Sequence, residues 1–150
     1  MSHITTIKVE IKDLQALRDA CKAVGLEFRE NQKTYKWYGQ SMGDYPLPVG
    51  FTKKDLGKCD HAIGVKGKRD AYEIGVCMRD GKYTMLWDFW NGGFGLQEIA
   101  GTDCCNLTQA YARNVSVKEA RKIAAQHNMT VSETTDAETG EIVLTLRSYD

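Results

Sequence analysis

The dipeptide Asp80-Gly81 stands between two runs of alternating apolar residues, Ala71 to Arg79 and Lys82 to Trp90. It constrains the fold more than any other feature of the chain. A connection of this type adopts a two-residue type I′ turn, whose twist matches that of two antiparallel strands. With Arg79 set opposite Lys82, counting back pairs Met78 with Tyr83, Val76 with Met85, and Ile74 with Trp87. All six side chains are large and apolar, so they mark a core face. Cys59 to Lys66 reads as the third strand of a meander, joined through a loop at Lys68 to Ala71. That connection sets Val65 opposite Ile74, Ile63 opposite Val76, and His61 opposite Met78.

The other face of the meander follows from the same count. It carries Ala62, Cys77 and Thr84 in one row, Gly64, Gly75 and Leu86 in the next, then Lys66, Glu73 and Asp88. Two glycines side by side make a shallow trough that a helix, a ligand or a second subunit can approach closely. Gly64, Gly75 and Leu86 are therefore read as an interface, suited to a protein partner or to self-association as a homodimer.

The remaining segments group around this sheet. His3, Thr5, Ile7, Val9 and Ile11 alternate with polar residues as a strand, and Asp13 then caps a helix to Val24 with Gly25 as its stop. Leu14, Leu17, Cys21 and Val24 form the apolar stripe of that helix. A strand follows near Leu26 to Glu30, with an aromatic stretch at Thr34 to Tyr38. Residues 41–57 hold both prolines and several glycines and read as a long exposed loop, inserted into the domain. Helical material is expected from Leu96 to Arg113, broken near Gly101 to Asp103. A separate last helix begins at Ser116, with Glu119 completing a capping box. Met129 to Thr134 and Glu141 to Arg147 form a final hairpin across an acidic turn. The fold class is thus α+β in a single domain, residues 1–150. Its antiparallel sheet has a central three-strand meander plus the N-terminal strand and C-terminal hairpin, with helices packed on one face.

Charge and composition exclude several functions. The 150 residues hold 20 basic and 20 acidic side chains, so no net field draws the chain to nucleic acid, which is disfavoured as a partner. The one basic cluster, Lys53, Lys54, Lys58, Lys66, Lys68 and Arg69, reads as a solvated loop and hairpin. No apolar run approaches the ~20 residues that span a bilayer, and no signal segment precedes the first strand. Five cysteines without framework spacing agree with the cytoplasm or an equivalent reducing compartment, such as a plastid stroma. The Asn-x-Ser/Thr sequons at Asn106, Asn114 and Asn128 are discounted on the same ground.

The opening Met-Ser-His-Ile-Thr-Thr-Ile-Lys begins a series of motifs that continues with Tyr72-Glu-Ile-Gly and the Trp87-Asp-Phe-Trp strand. The Gly-rich connection and the Gln109-Ala-Tyr-Ala segment complete it. In this order they resemble the family named "hypothetical chloroplast open reading frame thirty-five", where Phe is typical in place of Ile4. The resemblance covers most of the chain but not residues 41–57, and the Asp103-Cys-Cys-Asn region is longer than the family pattern. It implies a small soluble domain of the kind found in plastids, cyanobacteria, other bacteria and phages. No reaction is established for that family, so no catalytic residue is carried over.

Trp87-Asp-Phe-Trp-Asn-Gly-Gly-Phe-Gly is the strongest functional motif. A strand delivers aromatics to the sheet end, and glycines expose backbone N–H groups before a helix. Gly92, Gly93 and Gly95 with Asn91 are read as a cradle for an anion such as a phosphate, and Trp90 as a ring that stacks on a base. Lys66, Lys68 and Arg69 would add charge to a phosphorylated or nucleotide-like ligand. No P-loop or dinucleotide fingerprint is present. Cys59 and His61 share a strand face as metal ligands would, but ordinary buried roles are favoured, and no cofactor or metal is assigned. Glu73 and Asp88 face each other across strands near Lys66 and read as a salt-linked surface cluster. No nucleophile, acid or base forms a catalytic constellation. The reading favoured is a non-catalytic binding or assembly module, with binding or processing of a phosphorylated small molecule as the alternative.

Overall fold

The computed structural model describes residues 4–6, 10–39, 50–127, 129–135 and 142–148. His3, Ile7, Val9, residues 41–49 of the 41–57 loop and the acidic turn of the last hairpin lie outside these. The chain divides into two compact units, residues 1–110 and 111–150.

The first unit is an antiparallel five-stranded sheet with helices. Its strands are β1 (Ile4–Thr6), β2 (Leu26–Arg29), β3 (His61–Val65), β4 (Ile74–Arg79) and β5 (Lys82–Asp88), in the spatial order β1-β5-β4-β3-β2. The β4–β5 hairpin has the expected register, from Arg79–Lys82 to Gly75–Leu86. Asp80 and Gly81 both take positive φ, 52° and 79°, as a type I′ turn requires. β1 joins the outer edge of β5, with Thr5 opposite Trp87. Ile11 adds an isolated bridge to Tyr83 and is fully buried.

The first hairpin departs from expectation. His61 stands opposite Val76 and Ile63 opposite Ile74, two residues from the predicted pairing. A slip of two keeps every side chain on its face, because the side-chain period of a strand is two. The cause lies in where the backbone of the connecting loop finds partners. Tyr72 N–H donates to Gly93 O at 2.8 Å and Glu73 N–H to Lys36 O at 2.9 Å, so neither pairs with β3. The connection therefore lengthens to residues 66–73.

Helix α1 (Leu14–Val24) is capped at both ends as its sequence suggests. Asp13 Oδ1 accepts from Ala16 N–H, and Gly25, with φ 93°, donates to Cys21 O. Its buried stripe is Ala16, Leu17, Ala20 and Cys21. The helix lies on the sheet face that bears Ile63 and Phe28, with the Arg18 guanidinium 5.5 Å from the Phe28 ring centre. The short α2 (Leu96–Ala100) buries Leu96 and Ala100 and brings Ile99 Cγ2 to 3.9 Å from the place of a Gly25 Cβ.

The second sheet face is covered as well, and by the chain's own strap. From Arg29 the chain crosses this face, and Tyr35 joins Phe51, Ala62, Cys77 and Leu86 in one buried cluster. Trp37 and Cys59 pack against its rim. Tyr35 N–H donates to Gly57 O and Cys59 N–H to Lys33 O, which ties the strap to residues 57–59. The described end of the 41–57 loop is consequently not exposed throughout: Phe51 and Leu56 are buried, and Thr52 and Asp55 form a capping box around the turn Lys53–Asp55. Asp55, accepting from Thr52 N–H, is held below the usual carboxylate range.

Helix α3 (Cys105–Gln126) runs without a break through Asn114 and Ser116, correcting the expected separate helix at Ser116. The Ser116/Glu119 pattern is that of a capping box, but a continuous helix leaves no free N–H groups there to cap. In the second unit, β6 (Met129–Thr135) and β7 (Ile142–Ser148) pair from Met129–Ser148 to Thr135–Ile142 as a two-stranded sheet of their own.

Candidate functional site

The trough at Gly64 and Gly75 is filled by side chains of the same chain. A Cβ on Gly75 would stand 2.4 Å from Tyr35 Cδ1, and one on Gly64 would stand 2.5 Å from Arg29 Cζ. Leu86 is fully buried. The glycines do admit a close approach, but Tyr35 and Arg29 of the same chain occupy it. Gly64 and Gly75 are also not level with each other, since Gly75 aligns with Ala62. Gly64, Gly75 and Leu86 therefore offer no free interface.

Glu73 and Asp88 likewise do not form a surface cluster. Both are buried, and each has its own partners. Glu73 Oε2 pairs with the Arg29 guanidinium and accepts from Gln32 Nε2, while its Oε1 accepts from Lys36 N–H at 2.9 Å. Asp88 Oδ1 accepts from Trp90 N–H at 2.9 Å and its Oδ2 from Tyr38 N–H at 3.1 Å. One carboxylate thus pins the end of the strap to the start of the Gly-rich turn.

Beyond Asp88 the backbone enters a left-handed turn. Asn91, Gly92, Gly93 and Phe94 take φ of 51°, 66°, 62° and 54°, and Gly95 follows at 112°. Glycine adopts this region freely and asparagine tolerates it, but an aromatic residue there costs about 1–2 kcal/mol. The turn is satisfied largely from within. Gly92 N–H donates to Phe89 O, Leu96 N–H to Gly92 O and Gly93 O, and Tyr72 N–H to Gly93 O. Gly92 N–H is thus already engaged, and the five-residue α2 is too short to build up an anion-attracting terminus. Of the expected cradle, Gly92 thus has its N–H engaged, and Gly93 is buried and presents its carbonyl to Tyr72.

What the turn displays is rings. Trp90 and Phe94 are 5.8 Å apart centre to centre, Tyr38 lies 5.2 Å from Trp90, and Tyr72 meets Phe94 edge-on at 5.1 Å. Tyr72 is buried, but Tyr38, Trp90 and Phe94 are 40%, 37% and 43% exposed. Three contacting rings are therefore held in solvent, on a backbone conformation that disfavours one of them. The tyrosine below them has its phenol pushed up by burial.

Of the basic residues named from the sequence, Lys68 reaches this turn. Its Nζ is 3.1 Å from the place of a Gly95 Cβ. Arg69 is exposed, and its carbonyl accepts from Lys36 Nζ, which brings a further cation beside the rings' supporting loop. Lys66 lines a cleft of about 530 Å³ with Arg18, Lys22 and Glu27 instead. Sequence reasoning found Trp90 and Lys68 but missed Tyr38, Phe94 and Lys36. The aromatic density of 34–38 and 87–94 was the available signal.

Cys59 and His61 do not converge on a metal. Cys59 Sγ–H donates to Gln32 O beside the Tyr35 cluster. The His61 ring lies between Phe28 and Tyr83, and its Nδ1 accepts from Asn31 N–H at 2.9 Å. Among the described residues no three His, Cys, Asp or Glu side chains gather as metal ligands would. All five thiols are free. Burial pushes Cys21 and Cys59 up to about 12 and Cys77 to about 11. No described helix is long and apolar enough to cross a membrane. Comparison with protein families, with curated proteins and with solved structures finds no match for this chain.

Proposed function

We propose that this protein is a non-catalytic binding module whose contact surface is the platform of Tyr38, Trp90 and Phe94. The observation that carries this reading is the exposure of three touching rings on a left-handed turn. Contiguous exposed apolar surface marks interaction sites, and aromatic residues dominate the binding energy of interfaces. Backbone strain of the kind found at Phe94 is retained where a side chain must be aimed for a purpose other than stability. The raised thiols support the non-catalytic part, since Cys21, Cys59 and Cys77 stay protonated near neutral pH. Five free thiols suit a reducing compartment. The likeness to the thirty-five family belongs to the same proposal and adds no reaction to it.

The test combines sedimentation velocity over a concentration series with tryptophan-fluorescence titrations against mononucleotides, oligonucleotides and short aromatic peptides. At least one association is expected, weakened roughly 10-fold or more by Trp90→Ala, in line with an aromatic anchor. Circular dichroism confirms that the variant is folded. Finding no association, or only ones indifferent to Trp90→Ala and Phe94→Ala, would show that the rings are not the contact surface.

A further inference from the structure

We infer that the platform takes single-stranded nucleic acid, its bases stacking on Trp90, Phe94 and Tyr38 while Lys68, Lys36 and Arg69 meet the phosphates. This rests on the platform reading and goes beyond it by naming the ligand. Every base has a π-face, so exposed rings bind an unpaired strand with little regard to sequence. The charge around the rings is uneven in the direction such a ligand needs. Lys68 lies over Gly95, and Lys36 is bonded to the carbonyl of exposed Arg69. The two acidic residues that support the same segment, Glu73 and Asp88, are buried and hydrogen-bonded, so they present no carboxylate outward. Asp70 on that loop and Glu98 in the first turn of α2 are the exposed acids, against the three cations Lys68, Lys36 and Arg69.

Duplex is the wrong partner for this surface. Its base faces are closed within the stack, and a chain with 20 basic and 20 acidic residues has no extended field for paired phosphates. A mononucleotide is also a poor match. Rings that remain about two-fifths exposed do not enclose a single base, whereas a strand adds a stacking and a phosphate contact with each nucleotide. The neutral net charge set the sequence reading against nucleic acid; the local arrangement reverses it for unpaired strands alone.

Fluorescence anisotropy with the full chain tests this. The probes are a labelled oligo-deoxythymidine of about 12 nucleotides, within the usual site size, an abasic strand of equal length, the matching duplex, and poly-glutamate as competitor. The oligo-deoxythymidine is expected to bind at least about 10-fold tighter than the abasic strand or the duplex. Trp90→Ala should weaken it roughly 5- to 100-fold. With three phosphate contacts, the log–log salt slope should be about −2, and Lys68→Ala should reduce its magnitude by about 0.7. Absence of binding at low salt, equal binding of duplex or abasic strand, or displacement by poly-glutamate at equal charge overturns the inference. In those cases a Trp90-sensitive self-association or peptide interaction leaves the platform reading standing, and its absence removes both.

Discussion

Replacing Gly75 with alanine asks whether Tyr35 truly seals the second face of the sheet. The added Cβ would stand 2.4 Å from Tyr35 Cδ1, 2.5 Å from Cε1 and 3.0 Å from Cγ. Carbon atoms rest at about 3.5–4.0 Å, so the ring must retreat by about 1 Å or more. It has nowhere to go, since Tyr35 is only 3% exposed within its cluster. Overpacking of this kind costs about 1–3 kcal/mol. Alanine in place of a strand glycine returns about 0.5–1 kcal/mol of backbone entropy. A contact as short as 2.4 Å belongs to the upper part of that range, about 2–3 kcal/mol, so the net expectation is a loss of about 1–2.5 kcal/mol. Tyr35→Ala alone should cost about 3–5 kcal/mol, as large buried rings do. In that background only the backbone effect remains, and Gly75→Ala should stabilise by about 0.5–1 kcal/mol. Urea midpoints of the four proteins read the change of sign directly. An equal loss in both backgrounds means that the clash is not with Tyr35. No loss in the native background means that the ring does not lie on Gly75 at all. Tyr35→Phe then separates ring from hydroxyl. Among the described residues the buried hydroxyl has no hydrogen-bond partner. Phenylalanine should therefore be neutral or slightly stabilising, and a loss above about 1 kcal/mol would reveal a bond.

Asp88→Asn replaces one of two accepting oxygens by an amide that must face an N–H, and is expected to cost about 1–3 kcal/mol. It should also shift Trp90 fluorescence, and an unchanged spectrum with unchanged stability would show that Asp88 does not hold the turn. Phe94→Gly should be more stable than Phe94→Ala by about 1–2 kcal/mol, because both lack the ring and only glycine is at ease with φ 54°. The opposite order in thermal melts would place residue 94 in ordinary backbone. Stability should fall at alkaline pH. Cys77, Cys59 and Cys21 are raised from 9.0 to about 11, 12 and 12, so the unfolded chain loses protons first. The contribution is intact below pH 9.0 and declines as pH rises through the folded values. Flat stability between pH 9 and 11, measured with reductant present, would contradict the burial of these thiols.

How far the sequence could be read depended on how local the deciding interaction was. Asp80-Gly81 settles the β4–β5 register because the turn conformation is written in two residues. The β3–β4 register failed because it is decided by distant acceptors, Gly93 O for Tyr72 and Lys36 O for Glu73. Asp13 and Gly25 bound α1 correctly for the same local reason, whereas the Ser116/Glu119 signal was overridden by a helix already under way. The two-glycine trough was recognised as a place of close approach. What lies in it was not legible, because the run from Thr34 to Tyr38 alternates like a strand and nothing in it shows that it crosses the sheet as a strap. At the Gly-rich turn, composition announced freedom of backbone but not its hand. Whether such a loop turns N–H groups or rings outward depends on φ values that glycine leaves open.

The double bond-acceptor role of Asp88 has a consequence for motion. Tyr38 and Trp90 belong to stretches of chain 50 residues or so from each other, yet their amide hydrogens end on the same buried carboxylate. Neither stretch lifts away without uncovering a charge that water must then reach. Opening is thus a shared event, and the two amides are expected to exchange with deuterium as one cooperative unit at one free energy. A ligand resting on the rings would slow both together, although one amide belongs to the strap and the other to the Gly-rich turn.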